Sequence, residues 1–241
     1  MHLTSRVRKR ATPLRVFGLF IFISILVTGI AYGVQLRRAA TQYAATATEW
    51  SLIARPVTDQ DHTIGDLSAP VQIIVYSSIA CPFCRIFFET QVPKLQQAFG
   101  EQIVIAYRHN PVPSVPQAQI QEPASECVYQ QGGNDAFWRF VNTLFPVARD
   151  PGATDIGFLR DIAADAGVSA ADFVACMSAG AGIPRVEQDK QEAAVGGLTV
   201  DPSFLLKSAH RALVIKGDRY SQIYASIQYL IEVEVQARTQ E

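Results

Sequence analysis

Cysteine, histidine and methionine are scarce in this chain: four cysteines, four histidines and two methionines in 241 residues. A closed zinc site draws four ligands, usually from a second Cys-x-x-Cys or a His-rich partner motif. Cys127 and Cys176 stand alone, and His2, His62, His109 and His210 are scattered. The one close pair, Cys81 and Cys84, therefore lacks a partner motif. Redox chemistry is the favoured reading of that pair, half of a structural zinc site is the alternative, and no metal or cofactor is expected. Acidic residues are absent from the first 36 positions, where Arg6, Arg8, Lys9, Arg10 and Arg15 cluster. The rest of the chain holds sixteen basic and 22 acidic residues, a net charge of −6. No basic stripe interleaved with aromatics occurs, so nucleic acid is not expected as a partner. No internal repeat is evident, and 49% apolar content excludes a disordered or collagen-like chain.

Charge is also missing from Val16 to Leu36. About 20 apolar residues suffice to span a bilayer as a helix. The basic excess ahead of this run predicts a cytoplasmic tail (residues 1–15), a transmembrane anchor (16–36) and an extracytoplasmic, periplasm-side remainder. A cleaved signal peptide is the competing reading, since Gly29 and Ala31 are small residues behind an apolar core. The uncharged stretch continues to Leu36 and meets Arg37 and Arg38, which favours an uncleaved anchor. Either route delivers the chain to a compartment where disulfides persist.

Residues 37–61 are rich in Ala, Thr and Gln and read as a linker. A packed domain begins at His62. Val71 to Tyr76 reads as a strand, and a helix follows Cys81, with Pro93 expected to kink or end it. Gln102 to Tyr107 alternates and reads as a second strand. Helical signals then run through a segment of about residues 113–195: Glu122 to Gln131, Ala136 to Phe145, Asp155 to Ala166, a short helix opened by Ser169 and Asp172, and one started by Pro184. Ser203 to Lys207 and Ala212 to Lys216 read as strands, and Tyr220 to Val235 as a closing helix. The order describes an α/β domain interrupted by an all-α one.

Cys81-Pro82-Phe83-Cys84 thus falls between a strand and a helix. At a helix N-terminus, unpaired N–H groups and the helix dipole stabilise a thiolate on the first sulfur. Cys81 is the expected nucleophile and Cys84 the resolving thiol. Pro82 fits the first helical position, where its missing N–H goes unused.

Over residues 62–232 the chain resembles a membrane-anchored DsbA-type member of the thioredoxin superfamily. The resemblance is carried by Cys81-Pro82-Phe83-Cys84, Glu126-Cys127 followed by Phe137-Trp138, Phe173-Val174-Ala175-Cys176, and Gly197 to Phe204. It implies a thioredoxin-like fold with a helical insertion and a cis-proline at Pro202 beside the cysteines. It also implies thiol-disulfide oxidoreductase activity, most naturally as an oxidase for folding client proteins with cysteines, reset by a membrane redox partner. A client-specific reductase or isomerase, or a redox-inactive partner-binding module, are the alternatives. Where strong oxidases of that family carry His between the cysteines this chain has Phe83, and before the cis-proline it has Asp201. Both departures are expected to raise the Cys81 pKa, unless Asp201 points to solvent or pairs with a cation such as Arg211.

Of the three pairings open to four cysteines, Cys127 with Cys176 leaves the Cys-x-x-Cys pair intact, so a structural disulfide is expected in the insertion, two buried thiols being the alternative. His109 reads as a hydrogen-bonded residue rather than a catalyst, and Trp138 as core. Pro111 to Pro116 reads as a hinge into the insertion.

Overall fold

The computed structural model describes residues 54–239, together with Thr28, Gly29 and Ala31, which are helical. The tail expected at 1–15, nearly all of the anchor expected at 16–36, and residues 37–53 lie outside the described residues. Among the described residues no helix is long and apolar enough to cross a membrane.

Five strands form one sheet in the order β1-β3-β2-β4-β5: β1 His62–Gly65, β2 Val71–Ser77, β3 Ile103–His109, β4 Ser203–Lys207 and β5 Ala212–Lys216. The central pair, β2 and β3, is parallel; the other three pairings are antiparallel. A parallel pair needs a crossover, which here is α1 (Pro82–Ile86), a π-helical turn (Phe87–Gln91) and α2 (Val92–Phe99). Pro93 does not end this helix. Its missing N–H would leave a carbonyl unpaired in a regular α-helix, and the π turn just before it loosens the ladder there.

Alternation divides the strands cleanly. Val71, Ile73 and Val75 of β2, with Ile103, Ile105 and Tyr107 of β3, join Phe87, Phe88, Leu95, Phe204 and the closing helix in the main core. Ile74, Tyr76, Ala106 and Leu205 face the other side, with Ala54, Ala193 and Leu198. The closing helix, α7 (Tyr220–Arg238), buries Ile223, Ile227 and Leu230.

Between β3 and β4 the chain is helical: α3 Pro116–Leu144, α4 Ile156–Asp165, α5 Ala170–Ala179 and α6 Ile183–Val195. The two helices expected over 122–145 are halves of α3, broken where Gly133 turns to φ 68°, a conformation that favours glycine. Asp155 caps α4 by accepting from the N–H groups of Gly157 and Phe158, and Ser169 caps α5 through that of Asp172. Cys127 of α3 and Cys176 of α5, 49 positions apart, are joined by a disulfide.

Residues 54–61, expected within a linker, are tied to the domain at both ends, where Ala54 and Asp61 are buried. Arg108 on β3 is fully buried and donates to Asp61, to Glu192 of α6 and to the carbonyls of Arg55 and Pro56. Arg55 in turn pairs with Asp189 and Glu192, and Arg185 with Asp61 and Asp189. Burial alone would cost each charge dearly, so the segment is held where three arginines and three carboxylates compensate one another. Composition could not reveal this, because the ion-pair partners of Arg55 and Asp61 lie 47 to 137 positions away.

Candidate active site

The site sits where β2 ends and α1 begins. Cys81 is the N-cap of α1, with extended backbone (φ −91°, ψ 116°), and Pro82 takes the first helical position. The Cys84 N–H donates to Cys81 Sγ at 3.3 Å. Cys81 is partly exposed and Cys84 fully buried, both as free thiols. The Cys84 thiol and the backbone N–H groups of Cys84 and Phe83 together outweigh burial and lower Cys81 to about 7. Burial pushes Cys84 well above the usual thiol value. The two sulfurs are thereby differentiated: one reachable and easily ionised, the other shielded and reluctant. Phe83 is half exposed, at 52%, and offers the solvent an apolar ring; its carbonyl accepts from the Tyr220 hydroxyl at 2.9 Å.

The loop before β4 lies against this pair. The Asp201–Pro202 peptide bond is cis, Pro202 is buried, and Cys81 Sγ donates to the Asp201 carbonyl at 3.7 Å. The Asp201 carboxyl neither points to solvent nor meets Arg211: Asn110 Nδ2 donates to its Oδ1 at 2.7 Å, and Oδ2 is buried without a partner among the described residues. Burial raises Asp201 to about 7, the Asn110 hydrogen bond opposes this, and the charges of Cys81 and Glu122 add to the rise. The like-charge conflict expected to lift Cys81 is thus borne by the carboxyl itself, and Asp201 also raises Cys84. The carboxylate whose charge opposes the Cys81 thiolate is Glu122.

Glu122 was not legible as a site residue. It reaches from α3 under the dithiol, where Oε1 accepts from the Ile79 N–H at 2.7 Å and from Ser78 Oγ at 3.0 Å. Its Oε2 accepts from Tyr107 Oη at 2.9 Å and from His109 Nδ1 at 2.7 Å. His109 Nε2 and His62 Nε2 both meet Glu126 Oε1, at 2.6 and 2.5 Å. Burial would depress the His109 imidazolium, but Glu122 and Glu126 lift it to about 10. His109 is thus a core residue, yet one turned toward the site. The available signal was two glutamates at i, i+4 on a helix whose other buried positions nearby, Ala118, Gln121, Ala124, Ser125, Cys127 and Val128, carry no charge.

His62, His109 and Glu126 are the one group of three potential metal-ligating side chains found among the described residues, their ligand atoms within 4.8 Å. The group includes neither cysteine of the 81–84 pair, and hydrogen bonds between its members engage both Nε2 atoms and Glu126 Oε1. The Cys127–Cys176 disulfide belongs to the helical insertion, where Cys127 is fully buried.

A sheet with a parallel central pair, a dithiol at the first crossover helix and a proline loop beside it define a thioredoxin-fold dithiol protein. Residues 57–223 match the family described as Thioredoxin, and the chain belongs to that family. Among solved structures it is similar to BdbD from Bacillus subtilis in its oxidised form (TM-score 0.64, 20% identity, 74% of this chain and 97% of that one). It is also similar to Wolbachia pipientis alpha-DsbA1 (TM-score 0.61, 20% identity, 75% and 96%). A third is Pseudomonas aeruginosa DsbA2 (TM-score 0.61, 20% identity, 73% and 97%). These likenesses show the fold. Curated relatives include the Na(+)/H(+) antiporter NhaA 1 of Mycolicibacterium vanbaalenii, 26% identical over 156 residues, 64% of this chain and 24% of the antiporter. Another is NhaA 1 of Salinispora arenicola, 36% identical over 87 residues, 36% of this chain and 13% of the antiporter. The chain spans about a quarter of the length of these relatives, or less.

Proposed function

We propose that the chain is a protein thiol-disulfide oxidoreductase that works as an oxidase on cysteine-bearing clients outside the cytoplasm. The observation that carries this reading is the split between a partly exposed Cys81 lowered to about 7 and a buried Cys84 raised well above the ordinary thiol. With the pair oxidised, a client thiolate attacks Cys81 Sγ, the Cys81–Cys84 bond breaks, and Cys84 leaves as a thiolate that must be protonated. The client's second thiolate then attacks the client sulfur of the mixed disulfide. Cys81 departs as a thiolate, a good leaving group because it is stabilised at the helix start. The client ends oxidised and the pair ends reduced, so a membrane redox partner must take the electrons. Pro202 and the Asp201 carbonyl would flank the client backbone during exchange, and exposed Phe83 would receive apolar client side chains.

A Cys81 near neutrality rather than far below it also suits a client-specific reductase or isomerase, which is the second reading. The membrane anchor at 16–36 and the extracytoplasmic placement rest on the basic, uncharged and Arg-Arg sequence order. The antiporter relatives, which carry the matching segment on a membrane protein, are compatible with work at a membrane.

The deciding experiment gives the full-length chain, oxidised, to a reduced client with several cysteines, and separately gives the reduced chain to a disulfide-bonded client. Faster client oxidation in the first assay supports the oxidase. Activity confined to the second assigns the reductase, and none in either removes the enzymatic reading.

A further inference from the structure

Breaking the Cys81–Cys84 disulfide leaves a thiolate at Cys84, the sulfur least able to hold one. Its side chain is fully buried, and burial strongly disfavours the charged form. A proton must therefore arrive with the bond cleavage, and few groups can bring it. Glu122 is the obvious buried carboxyl, yet donors already meet both its oxygens: the Ile79 N–H, Ser78 Oγ, Tyr107 Oη and His109 Nδ1. With four donors on two oxygens it has no lone pair to offer a travelling proton. The phenols facing the dithiol hold their protons far above neutrality, Tyr107 through burial and Tyr220, raised to about 12, chiefly through burial as well. His109 is fixed between two carboxylates.

Asp201 differs from all of these. Its Oδ1 accepts a single hydrogen bond, from Asn110, and its Oδ2 is buried with no partner among the described residues. A buried carboxyl oxygen without a donor is costly as an anion and well placed to carry a proton. Its own backbone carbonyl accepts from Cys81 Sγ, and its carboxyl is near enough for its charge to act on Cys84 and for that of Cys81 to act on it.

We propose that Asp201 is the proton-exchanging residue of the site, giving its carboxyl proton to the Cys84 thiolate as that sulfur is released and taking it back when Cys84 attacks. The proposal rests on the disulfide-exchange reading above and deepens it. In the oxidising direction a client thiolate bonds to Cys81 Sγ and the Cys81–Cys84 bond breaks. The Asp201 proton moves to Cys84 Sγ, directly or through one bridging water. The resulting carboxylate collects a proton from the client's second thiol. That thiolate bonds to the client's first sulfur and expels Cys81 as a thiolate. Two electrons pass from client to the dithiol, and the carboxyl is regenerated. A value of about 7 places Asp201 where it exchanges protons in either direction near neutrality.

The test follows single-turnover reduction of the oxidised full-length chain by dithiothreitol between about pH 5 and pH 9, with rates corrected for the thiolate fraction of the reductant. The parent should show a limb in which the corrected rate falls as pH rises through the Asp201 value, which burial holds above the ordinary carboxyl range even without the Cys81 charge that adds to it in the reduced pair. Asp201→Asn should lose that limb and be slower below it by about 100-fold, the scale of general acid catalysis. Asp201→Glu should recover part of both. If Asp201→Asn does not fold, Asn110→Ala gives the second reading. Removing the hydrogen bond that favours the carboxylate should move the limb to higher pH, and an unmoved limb overturns the proposal. An Asn variant that keeps the parent's rate and limb also overturns it, leaving the oxidoreductase reading intact. A parent chain that exchanges no disulfide with either dithiothreitol or a reduced client overturns both.

Discussion

His109 Nδ1 and Glu122 Oε2 lie 2.7 Å apart, and neither side chain has any solvent exposure. Their attraction is therefore little screened, and Glu126 extends the chain of charges on the far side of the ring. The active-site floor is a fixed alternation of charge, carboxylate to imidazolium to carboxylate.

A pH dependence of stability follows, with its sign set by His109. Its folded value, about 10, stands above the ordinary 6.5. The stabilisation is thus complete below pH 6.5 and is lost as pH rises through about 10. His62 acts oppositely: burial lowers it, so its share is present above the ordinary value and lost on acidification. The melting midpoint should fall between pH 6.5 and 10 in the parent. In His109→Gln it should be lower at neutrality, by about 1–3 kcal/mol in stability, and much flatter toward alkali. Calorimetry showing the same alkaline slope in both would remove His109 from this role.

The two cysteines should react in order. Iodoacetamide at neutral pH should label Cys81 of the reduced protein well before Cys84, since Cys81 is both partly exposed and lowered to about 7. Cys84→Ser should accumulate mixed disulfides when its Cys81 thiolate attacks a client disulfide, because the thiol that resolves them in that direction is gone, and Cys81→Ser should accumulate few. Peptide mapping that found Cys84 alkylated first would reverse the assignment.

Replacing Arg108 by Met should destabilise the fold by about 3–5 kcal/mol, the usual cost of stripping one partner from a buried ion cluster. Asp61 and Glu192 would lose their shared buried guanidinium. The network lies on the opposite face of β3 from Tyr107, so the reactivity of Cys81 should be unchanged. Urea melts paired with alkylation rates check both halves.

Removing the second disulfide, as Cys127→Ala with Cys176→Ala, should cost about 4 kcal/mol in the chain-entropy view, given the 49-residue separation. Exchange at Cys81 and Cys84 should persist at temperatures where the variant remains folded. A variant as stable as its parent in denaturant titration would show that the helical insertion does not depend on the bond.

What the sequence made legible was what its short-range patterns encode. β2, β4 and β5 announced themselves as apolar runs, β3 as an alternating one, α4 by its helical spacing, and α5 by its cap at Ser169. The N-cap placement of Cys81 was readable because the strand, the cysteine and Pro82 stand in a row. β1 was not: His62–Gly65 is four residues long and shows no apolar alternation, and it is a strand only because Tyr107 to Val104 run beside it. Glu122, Asn110 and His109 became site residues through contacts at a distance, Asn110 to Asp201 across 91 positions. Each reads in isolation as an ordinary polar residue on a helix or loop.

Arg108 has a consequence for how the sheet finds its register. β2 and β3 pair over seven residues without a hairpin between them to set the alignment. Sliding β3 by one position would turn Arg108 toward Phe88 and Trp138 and send Tyr107 to the acidic side. Such a sheet would keep much of its hydrogen bonding but would bury a guanidinium among aromatic rings, with its carboxylates left behind. The charge network thus discriminates between registers: a misaligned central pair would strand a buried guanidinium and two carboxylates apart, a cost that the native alignment avoids.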